Sequence, residues 1–240
     1  MKKIFGFTVK SALRDPYLLF WSILLPVGGC VALGMFIKIP QYSSRILTGM
    51  MAVSVLFFAL VTVAFYSLGQ RRRGVYNLLK VTPTPLWSYI CAVSGAWMMV
   101  AVLCSLLVLA AGALVFGIGL SAVSVLMLLP ILLAASISYV FLSFFVSSLS
   151  KNEGHVNMIS NLFTLPMMFC SDAFYSLENA PGALRVISRI NPFQWFINGL
   201  RASFAADSIG WLINLALLLA LLAVALLLAV RTFRFSDSQH

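Results

Sequence analysis

Residues 69–85 read GQRRRGVYNLLKVTPTP. Elsewhere the chain nearly avoids charge, with 9% charged and 62% hydrophobic residues. Three consecutive arginines, one short amphipathic turn and two prolines thus separate two long apolar stretches, at about 46–69 and 86–116. Arginine is costly at the centre of a bilayer, and proline cannot continue a helix. The stretch therefore reads as a loop outside the membrane between two membrane-crossing helices.

Working outward, the 240 residues contain nineteen Phe and only six acidic side chains, at a mean hydropathy of +1.03. Apolar runs of roughly twenty residues fit transmembrane helices, and six are expected: 17–37, 46–69, 86–116, 120–149, 156–170 and 210–230. The fifth is short for a full crossing and is expected to continue into a bent, partly re-entrant segment over 171–207. The expected fold is an all-α integral membrane protein, one transmembrane unit over 1–240.

The net charge of +10 follows the same plan. With the amino terminus inside, the cytoplasmic face holds Lys2, Lys3, Lys10, Arg14, Arg71, Arg72, Arg73, Lys80, Lys151, Arg231 and Arg234. The other face holds Lys38, Arg45, Arg185, Arg189 and Arg201. This excess places both termini in the cytoplasm of a multi-pass protein of the cell membrane. It accounts for the basic balance as topology, with no nucleic-acid partner. Cys30, Cys91 and Cys104 fall within spans and Cys170 at the end of one, without metal-ligand spacing. LPVGGC at 25–30 faintly resembles a lipoprotein cleavage site, but the apolar run continues to Ile37, so it is expected to stay within a first helix.

Ahead of the first span, KKIFGFTVKSALR (2–14) puts Phe5, Val9, Ala12 and Leu13 on one side of a helix and Lys3, Lys10 and Arg14 on the other, with Phe7 as the exception. Such a basic amphipathic helix lies in the membrane interface. SKNEGH (150–155) reads as a polar turn, and its Glu153 and His155 as solvated loop residues.

No span contains Asp, Glu, Lys, Arg or His. Ion-coupled carriers and charge-selective pores place ionisable or liganding groups at membrane depth. An intramembrane hydrolase needs a nucleophile with a base or metal ligands. The chain is therefore not an enzyme of that kind, and any work it does is powered from elsewhere. GQRRRG at 69–74 has two glycines at phosphate-loop spacing, but Val75 and Tyr76 stand where Lys and Ser/Thr are required. No catalytic, metal or cofactor-binding residue is expected in this chain.

Within 74–80, Val75, Leu78 and Leu79 form an apolar stripe with Tyr76 at its edge. So short a helix is marginal alone. It gains stability by docking into a partner groove or by packing under the bundle, and local sequence leaves both open. In 156–170, Asn157, Ser160, Asn161 and Thr164 follow i, i+3, i+4, i+7 spacing on one helix face. Amides are expensive to leave facing lipid, so the stripe faces either neighbouring helices or a water-filled path. Asn191-Pro192 is expected to start a helix with Asn191 as cap and Pro192 in the first turn. Arg201 is expected near the outer surface, either solvated or paired with Asp172, Glu178 or Asp207.

From about residue 5 to 230 the chain resembles a membrane subunit of the ABC-2 type transporter family. The resemblance lies in the order of interfacial helix, six spans, a short coupling helix after span two and a re-entrant external segment. It is carried by Gln70-Arg71-Arg72-Arg73-Gly74-Val75-Tyr76-Asn77-Leu78-Leu79 with Thr82-Pro83, and by Asn191-Pro192 followed by Arg201. Two departures stand out. The acidic residues usual before the arginine are absent, and the family's Ser-Gly after span five is Ser171-Asp172.

The resemblance implies a permease subunit of an ATP-driven exporter, working as a dimer with a copy or a relative. Two separate ATPase chains would carry the ATP and Mg. Arg72, Arg73, Gly74, Val75, Tyr76, Leu78 and Leu79 would couple them to the spans. Asn157, Ser160, Asn161 and Thr164 would line the cargo path, and Asn191, Pro192 and Arg201 form the external signature. The Phe, Met, Ser and Asn of the spans, without fixed charge, favour an amphipathic or lipid-like cargo over a highly charged one. The alternative from another class is a non-transporting membrane scaffold or immunity-type binding protein, and a passive channel comes third.

Overall fold

The computed structural model describes residues 2–14, 20–36, 40–75, 86–119, 121–177 and 180–236, and its regular elements are all helical. Nine continuous helices run through the described residues. They are α1 (Lys2–Arg14), α2 (a π-helical turn at Phe20–Leu24 passing into Leu25–Phe36) and α3 (Pro40–Leu56, a π-helical segment at Phe57–Thr62, then Val63–Arg72). There follow α4 (Leu86–Phe116), α5 (Ala122–Leu149), α6 (Glu153–Phe169), α7 (Gly182–Ile190), α8 (Pro192–Ala205) and α9 (Ser208–Ser236).

Among the described residues, four stretches are long and apolar enough to cross a membrane: Tyr42–Arg72, Ser88–Phe116, Ala122–Leu149 and Ser208–Arg231. The sequence suggests six. The other two expected spans correspond to α2 and α6, and α6 has 17 residues. At about 1.5 Å per residue that is some 25 Å, at the short limit for a bilayer core of about 30 Å.

Chain direction follows from tertiary contacts. Arg71 at the end of α3 donates to Ser148 and Ser150 carbonyls at the end of α5, where α6 begins. Tyr42 at the start of α3 donates to the Phe174 carbonyl, just beyond the end of α6. The bundle thus has an arginine end, with residues 71–73 and 148–153, and an opposite end, with residues 42, 170–177 and 191. α5 and α9 run parallel from the opposite end: Trp211 Nε1 donates to the Met127 carbonyl at 2.8 Å, and Ser138 Oγ reaches the Leu218 carbonyl at 3.3 Å.

The core lies around α3, which is enclosed nearly all round, whereas α9 presents most of its surface outward. Trp97 of α4 is buried against Phe58 and Tyr66 of α3, with ring centroids 5.4 and 4.9 Å apart. Some serines in the bundle turn back on their own helices, as Ser143 and Ser203 do toward Val140 and Gly199. This local bond satisfies the hydroxyl without a partner helix.

α1 packs on α4, placing Phe5 beside Gly95. Its inward face is Ile4, Thr8, Val9 and Ala12. Leu13, expected on that face, is exposed with Phe7, while Lys10 and Arg14 are also outward. Both apolar side chains are thus free to enter an interface.

Candidate functional site

At the arginine end the three guanidinium groups have different surroundings. Arg71 is half-buried and binds the last carbonyls of α5, which helix geometry leaves without internal donors. A cation there also opposes the negative end of the helix dipole. Arg72 lies 3.4 Å from the Lys151 carbonyl and 3.9 Å from Glu153, both contacts well exposed and so weak. Arg73 closes α3 and is exposed.

Gly74 then takes φ +68°, a left-handed conformation natural for glycine, and turns the chain out of the helix axis toward Val75. Val75 touches the bundle core. Tyr76, Leu78 and Leu79 lie outside the described residues.

The same geometry bears on nucleotide binding. Gly69 through Arg72 are helical, and the N–H groups of Arg73 and Gly74 are spent on the carbonyls of Gly69 and Arg71, each at 3.1 Å. A phosphate cradle needs free, convergent N–H groups and a lysine. This segment offers neither.

In α6 the polar stripe divides. Asn152 caps the helix, its side chain accepting from His155 N–H at 2.8 Å. Ser160 and Thr164 are buried toward the bundle, and neither hydroxyl has a hydrogen-bond partner. Asn157 is exposed and Asn161 half-buried, bonded to each other across one turn at 3.2 Å. Met158, Leu162, Leu165 and Phe169 are exposed around them. One edge of the stripe thus faces protein, and the other faces out of the single chain.

At the opposite end, residues 170–177 are held from two sides. Asn191 caps α8 through its side-chain oxygen, which accepts from Phe193 N–H at 3.0 Å. Its amide nitrogen donates to the Met167 carbonyl at 2.7 Å and the Cys170 carbonyl at 3.1 Å. Pro192 occupies the first helical position, as sequence suggests. The Asp172 N–H donates to Gln194 Oε1 at 2.7 Å, and Gln194 Nε2 donates to Asn198 at 2.8 Å.

Arg201 forms an ion pair with the Asp172 carboxylate and donates to the Asp172 carbonyl at 2.7 Å. Burial pulls the Arg201 guanidinium below its ordinary value, Asp172 opposes this, and Arg45 adds to the lowering. From the α3 side, a methyl group on Gly49 would stand 2.6 Å from the Ala173 carbonyl oxygen.

Of the three acids considered for Arg201, Asp172 is the partner. Asp207 instead caps α9, accepting from the N–H groups of Ile209 and Gly210, and Glu178 lies outside the described residues. Sequence reading missed Gln194 and Asn198. With Asn191 and Arg201 they recur on one face of an otherwise apolar helix, a signal at hand in the spacing.

The family model for the ABC-2 type transporter matches residues 2–205. That span runs from α1 to the last residue of α8 and includes the arginine loop, the α6 stripe and the Asn191–Arg201 helix. No curated protein matches the chain.

Proposed function

The chain belongs to the ABC-2 type transporter family, and we propose that it is the permease half of an exporter carrying an amphipathic or lipid-like cargo outward. As a membrane permease subunit of that family it works with ABC ATPases, which hold the ATP and Mg. In our reading two ATPase chains serve two permease subunits. The whole of 1–240 acts as one transmembrane unit with six crossings, α2 and α6 being the short ones, and both termini are cytoplasmic. Residues 171–207, which include α7 and α8, form the partly re-entrant external segment at the outer side. The match over 2–205, which includes the arginine loop, the α6 stripe and the Asn191–Arg201 helix, is the observation that supports a permease of this family.

Arg72, Arg73, Gly74, Val75, Tyr76, Leu78 and Leu79 form the coupling segment. Support comes from the division of labour among the arginines: Arg71 ties α3 to the end of α5, and Arg73 is left outward beside the turn at Gly74. A push on the coupling segment would then be transmitted along α3 and, through Arg71, to α5. The cargo path runs along α6, with Asn157 and Asn161 facing the second subunit and Ser160 and Thr164 bordering α6 on its own bundle. Neutral amides and hydroxyls among Met, Leu and Phe suit an amphipathic cargo better than a highly charged one. Asn191, Pro192 and Arg201 fix the outer segment that the cargo passes.

Reconstitution into vesicles with the co-purified ATPase tests the proposal. ATP-dependent movement of a fluorescent phospholipid or amphipathic dye is the expected result. A chain that brings down no ATPase and moves neither probe would instead be a scaffold or ligand-sequestering protein.

A further inference from the structure

α7 contradicts the usual arrangement of a helix on a bundle. In GALRVISRI, Ala183, Val186, Ile187 and Ile190 recur at i, i+3, i+4 and i+7 and form one apolar stripe. The stripe points away from the protein: Val186, Ile187 and Ile190 are 58, 50 and 68% exposed. The inward side is instead Ser188, which is buried, and Leu184. A nine-residue helix is marginal by itself, and the bundle covers only its Leu184 and Ser188 side. Whatever stabilises α7 must cover the stripe.

The flanks indicate what that is. Arg185 and Arg189 stand one turn apart, both exposed, on the flank of the stripe away from Leu184 and Ser188. Arg185 spends its Nε on the Ala180 carbonyl at 3.1 Å, one of five N–H groups. The described ion pairs, Arg72–Glu153 and Arg201–Asp172, include neither arginine. Aromatic rings gather at the same level. Trp195 Nε1 donates to the Arg189 carbonyl at 2.7 Å, and exposed Tyr175 donates to the carbonyl of exposed Phe169 at the end of α6. Amphipathic aromatics favour the depth of the lipid headgroups, and an apolar stripe bordered by cations is the pattern of a helix lying in that layer.

We propose that α7 is a lipid-reading helix: it lies flat in the headgroup layer, with Val186, Ile187 and Ile190 among the acyl chains and Arg185 and Arg189 on the phosphates of anionic phospholipid. A protein partner is the less fitting occupant, since the stripe holds only short aliphatic side chains and none of the large aromatic anchors that dominate interfaces. The inference requires that the chain sit in a membrane and is independent of cargo and direction of transport.

The test uses the full chain in phosphatidylcholine vesicles with and without phosphatidylglycerol. A spin label at Ile187→Cys, with the native cysteines replaced, should collide with oxygen more readily than with a water-soluble nickel chelate. Lipid retained through detergent extraction should be enriched in phosphatidylglycerol. Arg185→Gln and Arg189→Gln should each cut that enrichment by up to about fivefold, the selectivity of one basic residue at an anionic surface, while the label stays immersed. A label that meets the nickel chelate freely would overturn the proposal by placing the stripe in water. Shielding from both reagents would overturn it by placing a protein there, and unchanged lipid enrichment in both arginine variants would remove the phosphate contact.

Discussion

Arg201 holds Asp172 twice, pairing with its carboxylate and donating to its backbone carbonyl, although the two residues are 29 positions apart. The backbone contact matters as much as the charge. It fixes the turn after α6 onto α8 at a single register, while Gln194 takes the N–H of the same residue. Both side chains are about a quarter exposed, at 25 and 22%, so solvent screens part of the attraction.

Removing one partner should therefore cost more than the pair is worth. Arg201→Ala leaves the carboxylate and carbonyl of Asp172 under-satisfied and is expected to cost about 1–3 kcal/mol of stability. Asp172→Ala strands a half-buried guanidinium at a similar cost. The double variant should recover about 1 kcal/mol relative to additivity. Thermal unfolding in detergent measures the cycle, and a transport assay should show Arg201→Ala losing more activity than expression.

Gly49 predicts a second weak point in the same turn. Its missing side chain lets α3 approach the Ala173 carbonyl, where a methyl group would come within 2.6 Å. Backbone cannot move aside as a flexible side chain can, so Gly49→Ala should destabilise by roughly 1–3 kcal/mol. Limited proteolysis should show cleavage within 170–177 well below the global unfolding temperature.

These contacts mark where sequence legibility ended. The cap at Asn191 and the start at Pro192 were readable because they depend on local backbone chemistry. The reach of the same Asn191 amide to Met167 and Cys170 was not, because it depends on where α6 stops. Likewise the spacing of Asn157, Ser160, Asn161 and Thr164 was readable. Its division into a buried and an outward edge required knowing that α6 sits at the margin of the bundle. Leu13 was misplaced because a wheel of thirteen residues fixes a face only to within a residue or so. The arginine run was legible as a boundary, and its separate tasks emerged only once α5 was found ending beside α3.

Those separate tasks can be told apart by experiment. Arg71→Ala removes two contacts to the carbonyls ending α5 and should lower stability by about 1–2 kcal/mol. Arg73→Ala removes an exposed side chain and should leave stability within about 0.5 kcal/mol. If 74–80 docks on the ATPase, Tyr76→Ala with Leu79→Ala should weaken co-purification or uncouple ATP hydrolysis from transport, at a cost of roughly 1–4 kcal/mol in association. Full transport by that double variant, at normal expression, would leave the segment a packing element.

The two edges of the α6 stripe should respond in opposite ways. Thr164 and Ser160 bury hydroxyls with no partner in the single chain, and an unpaired buried hydroxyl is a net cost. Thr164→Val and Ser160→Ala are thus expected to leave stability unchanged or raise it by up to about 1 kcal/mol. Asn157→Leu and Asn161→Leu delete only an amide pair bonded to each other at 3.2 Å on the outward edge, so folding and assembly should survive. If that edge lines the cargo path, the leucine variants will change which cargo is moved or its apparent affinity. Asn161→Cys, with the native cysteines replaced, should react with a small water-soluble thiol reagent, and more slowly when cargo is present. Inert thiols in every state, together with leucine variants that fail to assemble, would make the amides glue between subunits and put the path elsewhere.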